Sequence, residues 1–500
     1  MFHGHDTVSV ARQYHLEYAL LQQGWVRDVR VTVSDDGHIS AIDLGSGGEP
    51  GNGVPGGGVP GGAAHAGVPI SAATPQFDVQ RVAGFVVPGM PNAHSHAFQR
   101  AMAGATEYRQ SAHDSFWTWR QAMYALANRI TPEDLQVLAT QLFVEMLKAG
   151  YTSVAEFHYL HRQPNGDLDA GPNSLWEAIA AASAATGIGL TLLPTLYQTS
   201  DFGAQPLKQE QSRFALDSDR FLRAIADRVN AERHTPSAVR RTGAAFHSLR
   251  AVPLSSLLEV VQGLRSIDAS MPVHIHVAEQ VKEVEACLQY TGRRPIELLL
   301  DTGVVNERWC LVHATHATAA ELRGIAAAAA VVCVSISTEA NLGDGLFGTD
   351  RFLKFGGRIC IGSDSQSTVC PAEELRWMEY EQRLRKKGRG ILADRTEAHV
   401  GTRLWRDAAR YGAQAIGRPV GEIAVGRCAD WLVLDPAHPC MAGAVAASAL
   451  DHLLFAGGSA AIRDVMVAGR WVVKQGQHAA ELPLRDRFRE LMGRLGPTVT

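Results

Sequence analysis

The sequence predicts an α/β protein: a (β/α)8 barrel of the TIM type with a small β-sandwich domain formed from both chain termini. Eight apolar runs rich in β-branched residues, most of them separated by helix-like segments, lie between residues 84 and 365. This alternation is typical of a parallel barrel. Short alternating strands occur near both ends of the chain. With 500 residues, 46% hydrophobic and 20% charged, the chain can bury one large core and a smaller one.

The terminal domain begins with alternating strands over residues 15–44, where "DDG" supplies a turn. The Gly/Pro-rich stretch that follows, residues 45–75, has almost nothing to bury, so we expect a flexible insertion without a chemical role. Near the other end, "IAVGRCADWLVLD" and "IRDVMVAGRWVVKQG" predict further strands. The predicted division is residues 1–86 and 419–480 for the two parts of the sandwich, 87–418 for the barrel and 481–500 for a C-terminal helix.

The barrel strands are predicted from the eight apolar runs. In chain order they are residues 84–96, 152–159, 189–197, 243–251, 272–279, 309–316, 330–337 and 358–365. Two intervening segments, "PEDLQVLATQLFVEMLKAG" and "PLSSLLEVVQGLRSI", have apolar residues at three- and four-residue spacing and are predicted helices. The uncharged stretch 178–200 is broken by "TGIG" and Pro194 and indicates an Ala-rich helix followed by a buried strand, not a membrane span.

The composition favours an enzyme that acts on small soluble molecules. A formal net charge of −4 provides no broad basic surface for nucleic acid or anionic membranes. The seven cysteines contain no CxxC pair and several lie in apolar runs, which indicates reduced packing thiols of a cytoplasmic protein. We expect no secretion signal, because the first residues lack a basic segment followed by an apolar one.

Histidines and acidic residues gather at the ends of the predicted barrel strands. Three HxH pairs occur, at 3–5, 94–96 and 274–276, where about 0.8 is expected by chance; we treat the N-terminal pair as accidental. The polar residues at the strand ends are His94, His96, Glu156, His158, Tyr159, His247, Arg250, His274, His276, Glu279, His313, His316 and Asp364. Since a barrel enzyme builds its active site at this end of the strands, the pattern predicts a metal site.

Coordination chemistry agrees with this prediction. Imidazole nitrogens together with a carboxylate oxygen suit Zn²⁺ or another borderline divalent ion, with a position open for water. Such an ion lowers the pKa of bound water from about 15.7 toward about 7. A neighbouring carboxylate can then accept the proton.

The motifs "HSH", "HVAE", "HATH" and "GSDS" after strands one, five, six and eight resemble the amidohydrolase superfamily, in its mononuclear deaminase branch. No lysine ends strand four, where binuclear members carry a bridging lysine. The resemblance implies one Zn²⁺ or similar ion per chain, with ligands His94, His96, His276 and Asp364. It also implies that Asp364 accepts the water proton, that Glu279 passes a proton to the substrate nitrogen and that His313 polarises the substrate or stabilises the hydroxide. We expect His158, His274 and His316 to be packing residues or to lie behind the ligands.

Within the superfamily, seven segments resemble the formimidoylglutamate deiminases of histidine degradation. They are "NAHSHAFQRAMAG", "SFWTWR", "EFHYLH", "HSLRAVP", "HIHVAEQ", "STEANLGDG" and "GSDSQ". The resemblance implies hydrolysis of N-formimidoyl-L-glutamate to N-formyl-L-glutamate and ammonia, and a pocket formed by Gln99, Arg120, Tyr159, His247 and Arg250.

The substrate chemistry supports this pocket independently, because a dicarboxylate amidine needs arginine forks to bind its carboxylates. Arg250 ends strand four, and Arg120 is predicted on a loop after strand one, where a solvated surface position is the alternative. We also expect a homodimer.

Two other functions fit parts of the sequence. A deaminase of guanine or another heteroaromatic ring would keep the metal ligands but line its pocket with stacking aromatics and amides. A catalytically inactive scaffold would have lost a ligand or Glu279, and this chain retains all of them.

Overall fold

The computed structural model describes residues 11–45, 79–107, 116–164, 166 and 174–496. The insertion predicted at 45–75 lies outside these residues apart from Gly45, and so does the His-Gly-His pair at 3–5.

Seventeen strands are present in the described residues. They are β1 (Arg12–Leu21), β2 (Gly24–Val33), β3 (Ile39–Leu44), β4 (Val79–Pro88), β5 (Met90–Ser95), β6 (Tyr151–His158), β7 (Gly189–Leu196), β8 (Arg240–Thr242), β9 (Ala244–Phe246), β10 (Val273–Val277), β11 (Trp309–His313), β12 (Val331–Val334), β13 (Arg358–Ile361), β14 (Trp431–Leu434), β15 (Ile462–Val467), β16 (Arg470–Lys474) and β17 (Gln477–His478).

Fourteen α-helices accompany them in the same part of the chain. They are α1 (Phe116–Ala127), α2 (Pro132–Ala149), α3 (Leu175–Thr186), α4 (Ser218–His234), α5 (Leu254–Ile267), α6 (Val281–Thr291), α7 (Pro295–Asp301), α8 (Ala319–Ala327), α9 (Ile336–Leu342), α10 (Thr349–Lys354), α11 (Pro371–Lys386), α12 (Val400–Ile416), α13 (Ala449–His452) and α14 (Glu481–Leu495). Short helical turns cover Ala97–Met102, Gln209–Phe214, Pro439–Met441, Ala446–Ser448, Leu453–Gly457 and Gly458–Ala461.

Local sequence determines where helix α2 begins and ends. Thr131 accepts a hydrogen bond from the backbone of Asp134, whose side chain accepts one in return from the Thr131 backbone, and Pro132 occupies the first helical position. Gly150 ends the helix with φ of 107°, a conformation that glycine adopts without strain. The predicted helix is therefore present with nearly its predicted bounds.

The barrel is a parallel sheet in the order β5, β6, β7, β9, β10, β11, β12 and β13, with the short β8 also paired to β7. It closes between its first and last strands, where Ser95 pairs with Asp364 in parallel. The backbone N–H groups of Ser363 and Asp364 both donate to the carbonyl of His94, at 3.0 Å each. The predicted eight-stranded barrel is confirmed.

Strands from both termini form one mixed sheet in the order β17, β16, β15, β14, β4, β1, β2 and β3. Tyr14 pairs with Gln80 of β4 and Trp431 with Pro88, yet the rings of Tyr14 and Trp431 lie 5.4 Å apart. Since eight residues of straight strand span about 26 Å, the sheet must curl on itself around a core separate from that of the barrel. Gly84, with φ of 103°, lies in β4 and approaches the Leu434 carbonyl too closely for a Cβ. The predicted two-terminus β domain is confirmed.

The N-terminal end of the barrel is covered by the chain at the end of α12. Gln414 donates to the carbonyls of Glu307 (2.8 Å) and Ala329 (3.0 Å), which precede β11 and β12. On the opposite side, Thr191 of β7 donates to the Ile416 carbonyl at 2.8 Å. This end of the barrel interior is therefore closed by backbone.

No helix in the described residues is long and apolar enough to cross a membrane. The uncharged stretch 178–200 is divided between helix α3 and strand β7, as expected.

Candidate metal centre and active site

Four predicted ligands meet at the C-terminal end of the barrel. His94 lies in β5, His96 follows that strand, His276 lies in β10 and Asp364 follows β13. All four are buried, and one ligand atom from each lies within 4.8 Å of the others. The Nε2 atoms of His94 and His276 are 3.0 Å apart, and Oδ1 of Asp364 lies 3.2 Å from His94 Nε2 and 3.3 Å from His96 Nε2. The sequence-predicted ligand set is assembled as one cluster.

The hydrogen bonds around these rings direct their lone pairs inward. Nδ1 of His96 lies 2.8 Å from the Phe157 carbonyl and Nδ1 of His276 lies 2.9 Å from the His247 carbonyl, so each donates there and leaves Nε2 unprotonated. Burial lowers the pKa of His94 to about 4 and holds that of His276 well below its ordinary value. Neutral rings with facing lone pairs beside a carboxylate fit a divalent cation.

The Asp364 carboxylate is charged in this setting. Burial works to raise its pKa, but the imidazoles of His94 and His96 outweigh burial and hold the pKa well below its usual range. The residue adopts a positive φ of 45° in the turn after β13. The preceding Gly362 passes so close to His94 that a Cβ would lie 2.7 Å from the histidine's own Cβ. A side chain at position 362 would therefore displace His94.

Glu156 is a buried carboxylate that was not assigned a role from the sequence. It supports the turn that contains His94 and His96. Glu156, in β6, accepts hydrogen bonds from the Ser95 hydroxyl at 2.7 Å and from the Ala97 backbone at 2.6 Å. Burial raises its pKa to about 7 in spite of these bonds. Since Ser95 lies between the two histidines, Glu156 fixes the turn that orients both rings.

Glu279 and His313 lie beside the cluster, where proton transfer is needed. Nε2 of His313 lies 3.8 Å from Glu279 Oε1 and 3.7 Å from Asp364 Oδ2. Burial raises the pKa of Glu279 to about 6, partly opposed by His313. Burial would lower the pKa of His313, but Glu279, Glu339 and Asp364 together raise it well above its ordinary value. Glu279, His313 and Asp364, each with a shifted pKa, therefore lie close together.

Two acidic residues of the "STEANLGDG" segment were not assigned roles from the sequence. Glu339, in α9, lies 3.1 Å from Nδ1 of His313 and accepts the Ser335 backbone N–H at 3.1 Å, so it orients the His313 ring. Asp344 accepts a hydrogen bond from Gln280, and burial together with nearby Glu279 raises its pKa to about 9. The "STEANLGDG" motif is the feature of the sequence that could have identified both residues.

All five predicted substrate-binding residues line a single cavity with the catalytic groups. The lining residues are His96, Gln99, Phe116, Trp119, Arg120, Met123, Tyr159, His247, Arg250, His276, Glu279, His313, Leu342 and Asp364. The cavity therefore combines two arginines with the ligand cluster.

The two arginines are held differently. Arg250 follows β9, is only 7% exposed, and its Nε has no hydrogen-bond partner among the described residues. The prediction that Arg120 lies on a loop is wrong, because it lies in helix α1, whose apolar residues recur at helical spacing. Its guanidinium packs over the rings of Trp117 (5.5 Å) and Tyr124 (5.2 Å) and donates to the Tyr197 hydroxyl at 3.3 Å.

The other pocket residues form a polar and aromatic wall. Gln99 donates to the Tyr159 hydroxyl at 2.9 Å. The His247 ring lies 5.4 Å from the Tyr159 ring and 4.6 Å from the Tyr197 ring. Burial, together with the positive charges of Arg250 and Arg120, holds the pKa of His247 well below its ordinary value. The neutral His247 ring can donate a hydrogen bond to a ligand or accept one from it.

Histidines expected to be packing residues lie outside the ligand cluster. His158 lies 2.8 Å from the Leu160 carbonyl, and His274 Nε2 lies 2.8 Å from the Ala415 carbonyl. His161, in the same segment as His158, bonds the Thr195 carbonyl at 2.7 Å and accepts from Trp176 at 3.3 Å. Each of these three rings therefore has one nitrogen bound to a backbone carbonyl and lies apart from the four predicted ligands.

Comparison with known proteins agrees with this geometry. Residues 85–472 match the amidohydrolase family, and residues 12–54 match the N-terminal domain of formimidoylglutamate deiminase HutF. Over 481 residues the chain is 46% identical to the formimidoylglutamate deiminase of Pseudomonas aeruginosa, which covers 96% of this chain and 98% of that protein. The chain belongs to the amidohydrolase family, and within it to the formimidoylglutamate deiminases.

Other amidohydrolases are more distant. The crystal structure of an amidohydrolase from Brucella melitensis superimposes with a TM-score of 0.83 at 38% identity, covering 97% of this chain and 99% of that one. An 8-oxoguanine deaminase of Pseudomonas aeruginosa is 27% identical over 421 residues, which is 82% of this chain and 86% of that protein. The family predicted from the motifs is confirmed.

Proposed function

We propose that this amidohydrolase hydrolyses N-formimidoyl-L-glutamate to N-formyl-L-glutamate and ammonia, a step of histidine degradation. The observation that carries the proposal is the buried Arg250, with its unpartnered Nε, in the same cavity as Glu279 and His313. A buried guanidinium is unfavourable without an anion. The heteroaromatic substrate of a guanine-type deaminase carries no carboxylate to supply one. The 46% identity to the Pseudomonas aeruginosa formimidoylglutamate deiminase points to the same substrate.

The four-residue cluster is proposed to hold one zinc-class divalent ion, because three imidazole nitrogens and a carboxylate oxygen are its preferred ligands. When bound there, such an ion activates a water molecule for attack at neutral pH. Metal analysis of the purified protein and of an Asp364→Ala variant tests the assignment. The wild type should retain one ion at this site and the variant should lose it; equal retention would contradict the assignment.

The chain's own groups then divide the proton transfers between them. Asp364 accepts one proton of the water molecule as its oxygen attacks the formimidoyl carbon, and His313, held by Glu339, donates a hydrogen bond to the developing charge. Glu279 delivers a proton to the terminal imino nitrogen, which makes that nitrogen the better leaving group, and Glu279 is reprotonated by the water-derived hydroxyl group as the carbonyl forms. The proton held by Asp364 becomes the second one on the departing nitrogen, so the C–N bond breaks, ammonia departs, and the new carbonyl completes N-formyl-L-glutamate. Arg250 and Arg120 hold the glutamate part in place, which opposes its departure.

The test is to incubate metal-loaded protein with N-formimidoyl-L-glutamate and, separately, with guanine, and to identify the products by mass spectrometry. We expect ammonia and N-formyl-L-glutamate in equal amounts from the first substrate and no turnover of the second. Free glutamate with formamide would mean that the opposite bond breaks. Ammonia from guanine alone would identify a heteroaromatic deaminase, and no turnover of either by a metal-loaded protein would favour an inactive scaffold.

A further inference from the structure

Three of the seven cysteines meet inside the barrel. Cys310 lies in β11, Cys333 in β12 and Cys360 in β13, three neighbouring strands. Their sulfur atoms all lie within 4.8 Å of one another, their exposed fraction is 0%, and all three are free thiols. Along the chain these cysteines appear scattered, and only the strand pairing brings them together.

Strand register places the cysteines on the inner face of the barrel. His276 of β10 points inward, since it is a ligand of the active-site cluster, and His274 lies on the same face because side chains alternate along a strand. His274 is paired in parallel with Cys310, Val312 of the same strand is paired with Cys333, and Cys333 is paired with Cys360. Paired residues of neighbouring parallel strands point the same way, as do residues two apart on one strand, so the three sulfurs form a layer on the inner face. Cys310 is level with His274, two residues before His276, and Cys360 lies four residues before Asp364, so both lie on the N-terminal side of the ligand cluster.

His274 borders this layer, and its side chain interacts with Cys310. Its Nε2 donates to the Ala415 carbonyl at 2.8 Å, which leaves Nδ1 unprotonated in the neutral ring. In the described part of the structure, Nδ1 is buried and has no hydrogen-bond partner. A buried nitrogen lone pair beside three thiols is unusual for ordinary core packing, which favours aliphatic side chains in barrel layers.

The geometry suits a shared ion better than a disulfide. A disulfide would join only two of these three free thiols and leave the third unpaired, whereas one ion can bind all three sulfurs. Around a tetrahedral ion with metal–sulfur distances of about 2.3 Å, the sulfurs are about 3.8 Å from each other, which is within the observed limit of 4.8 Å.

We propose that Cys310, Cys333 and Cys360 bind a thiophilic d¹⁰ ion, Zn²⁺ or Cu⁺, with Nδ1 of His274 available as a fourth ligand. Soft thiolate ligands select such ions, and binding releases the thiol protons. This site is separate from the His/Asp centre and does not depend on the proposed deiminase activity. Because Gln414 and its neighbours close the N-terminal end of the barrel, the ion is loaded while the chain folds and then stays enclosed.

X-ray absorption of the intact protein tests the proposal. Protein is produced in medium supplemented with zinc or, in parallel, with copper, and spectra are recorded at both metal edges. We expect a sulfur shell at about 2.3 Å in addition to the nitrogen and oxygen shell of the His/Asp centre. The metal whose absorption edge shows the sulfur shell is the ion bound by the cysteines. Absence of a sulfur shell at both edges, in protein whose His/Asp centre is loaded, would overturn the proposal.

Variants then locate the ion. Cys333→Ser and Cys360→Ala should lose the sulfur shell and one metal equivalent but keep the nitrogen and oxygen shell, whereas Asp364→Ala should show the reverse. Cys287→Ser is the matched control, because Cys287 is a buried free thiol in α6, outside the cluster, and it should change neither shell. If Cys333→Ser and Cys360→Ala kept the sulfur shell, the assignment would be wrong. Where a variant does not fold, the wild-type spectrum alone decides.

Discussion

Replacement of Arg250 by methionine tests how the pocket binds its substrate. Arg250 is buried and lines the cavity with Glu279, and its Nε has no partner in the part of the chain that the structure describes. Its partner is therefore expected to be a carboxylate of the substrate. Methionine has a similar length and fills a similar volume without the charge.

The size of the effect follows from burial. Truncating one partner of a buried, hydrogen-bonded charge pair costs about 2–5 kcal/mol, which corresponds to a roughly 30- to 4,000-fold loss in kcat/KM. The contact is made equally by bound substrate and transition state, so most of the loss should appear as a higher KM. Arg120 is held by Tyr197, Trp117 and Tyr124 and should keep its position in the variant.

The assay measures ammonia release from the natural diacid and from two analogues in which either carboxylate is converted to an amide. Arg250→Met should strongly lower kcat/KM for the diacid. It should have little further effect on kcat/KM for the analogue that lacks the carboxylate bound by Arg250. Exposed Arg389 provides the control, and Arg389→Met should leave all three substrates unaffected. An equal loss for the diacid and for both amides would show that Arg250 does not bind a carboxylate.

Three further outcomes are expected. Glu279→Gln should retain the metal but lose turnover by about 10²- to 10⁴-fold in steady-state assays; near-normal turnover would show that Glu279 is misassigned. Glu339→Gln should lower kcat by about 10- to 100-fold with little change in KM, because it frees the ring of His313; an effect confined to KM would contradict a positioning role. Burial lowers the pKa of His161 to about 4, so the unfolded chain binds a proton below pH 6.5 that the native protein does not. Lowering the pH from 7 to 5 should therefore reduce the free energy of unfolding by about 2 kcal/mol through this residue. In denaturant titrations, His161→Asn should show a correspondingly smaller pH dependence, and an equal dependence would refute the argument.

Sequence predicted the ligand cluster because strand ends and residue chemistry coincide. His94, His96, His276 and Asp364 each follow an apolar run, and a barrel brings the ends of such runs to one rim. No knowledge of side-chain packing is needed for that step. The same argument predicted Glu279 and His313 beside the ligand cluster, where the structure has them.

Residues that act through tertiary contacts could not be predicted in this way. Glu339 reaches His313 from a separate helix, 26 positions along the chain, so no local pattern connects them. The cysteine layer depends on the register of three strands, which sequence spacing alone does not fix. Arg120 follows strand one, where a loop is predicted, but the apolar spacing of Phe116–Ala127 instead produces helix α1.

Closure of the barrel between β5 and β13 has a consequence for biosynthesis. Asn92 donates to the Ser363 hydroxyl at 2.6 Å across 271 positions of the chain, and the predicted ligands His94 and Asp364, which also contact each other, are similarly far apart in sequence. A ribosome adding about 5–20 residues per second needs roughly 15 s to 1 min to cover this distance. During that interval His94 and His96 have emerged without their carboxylate partner, and β5 is an open edge. The nascent chain can therefore neither complete its active centre nor hide that edge until the last barrel strand is made, which makes this interval the period in which the protein is most exposed to aggregation and to chaperones.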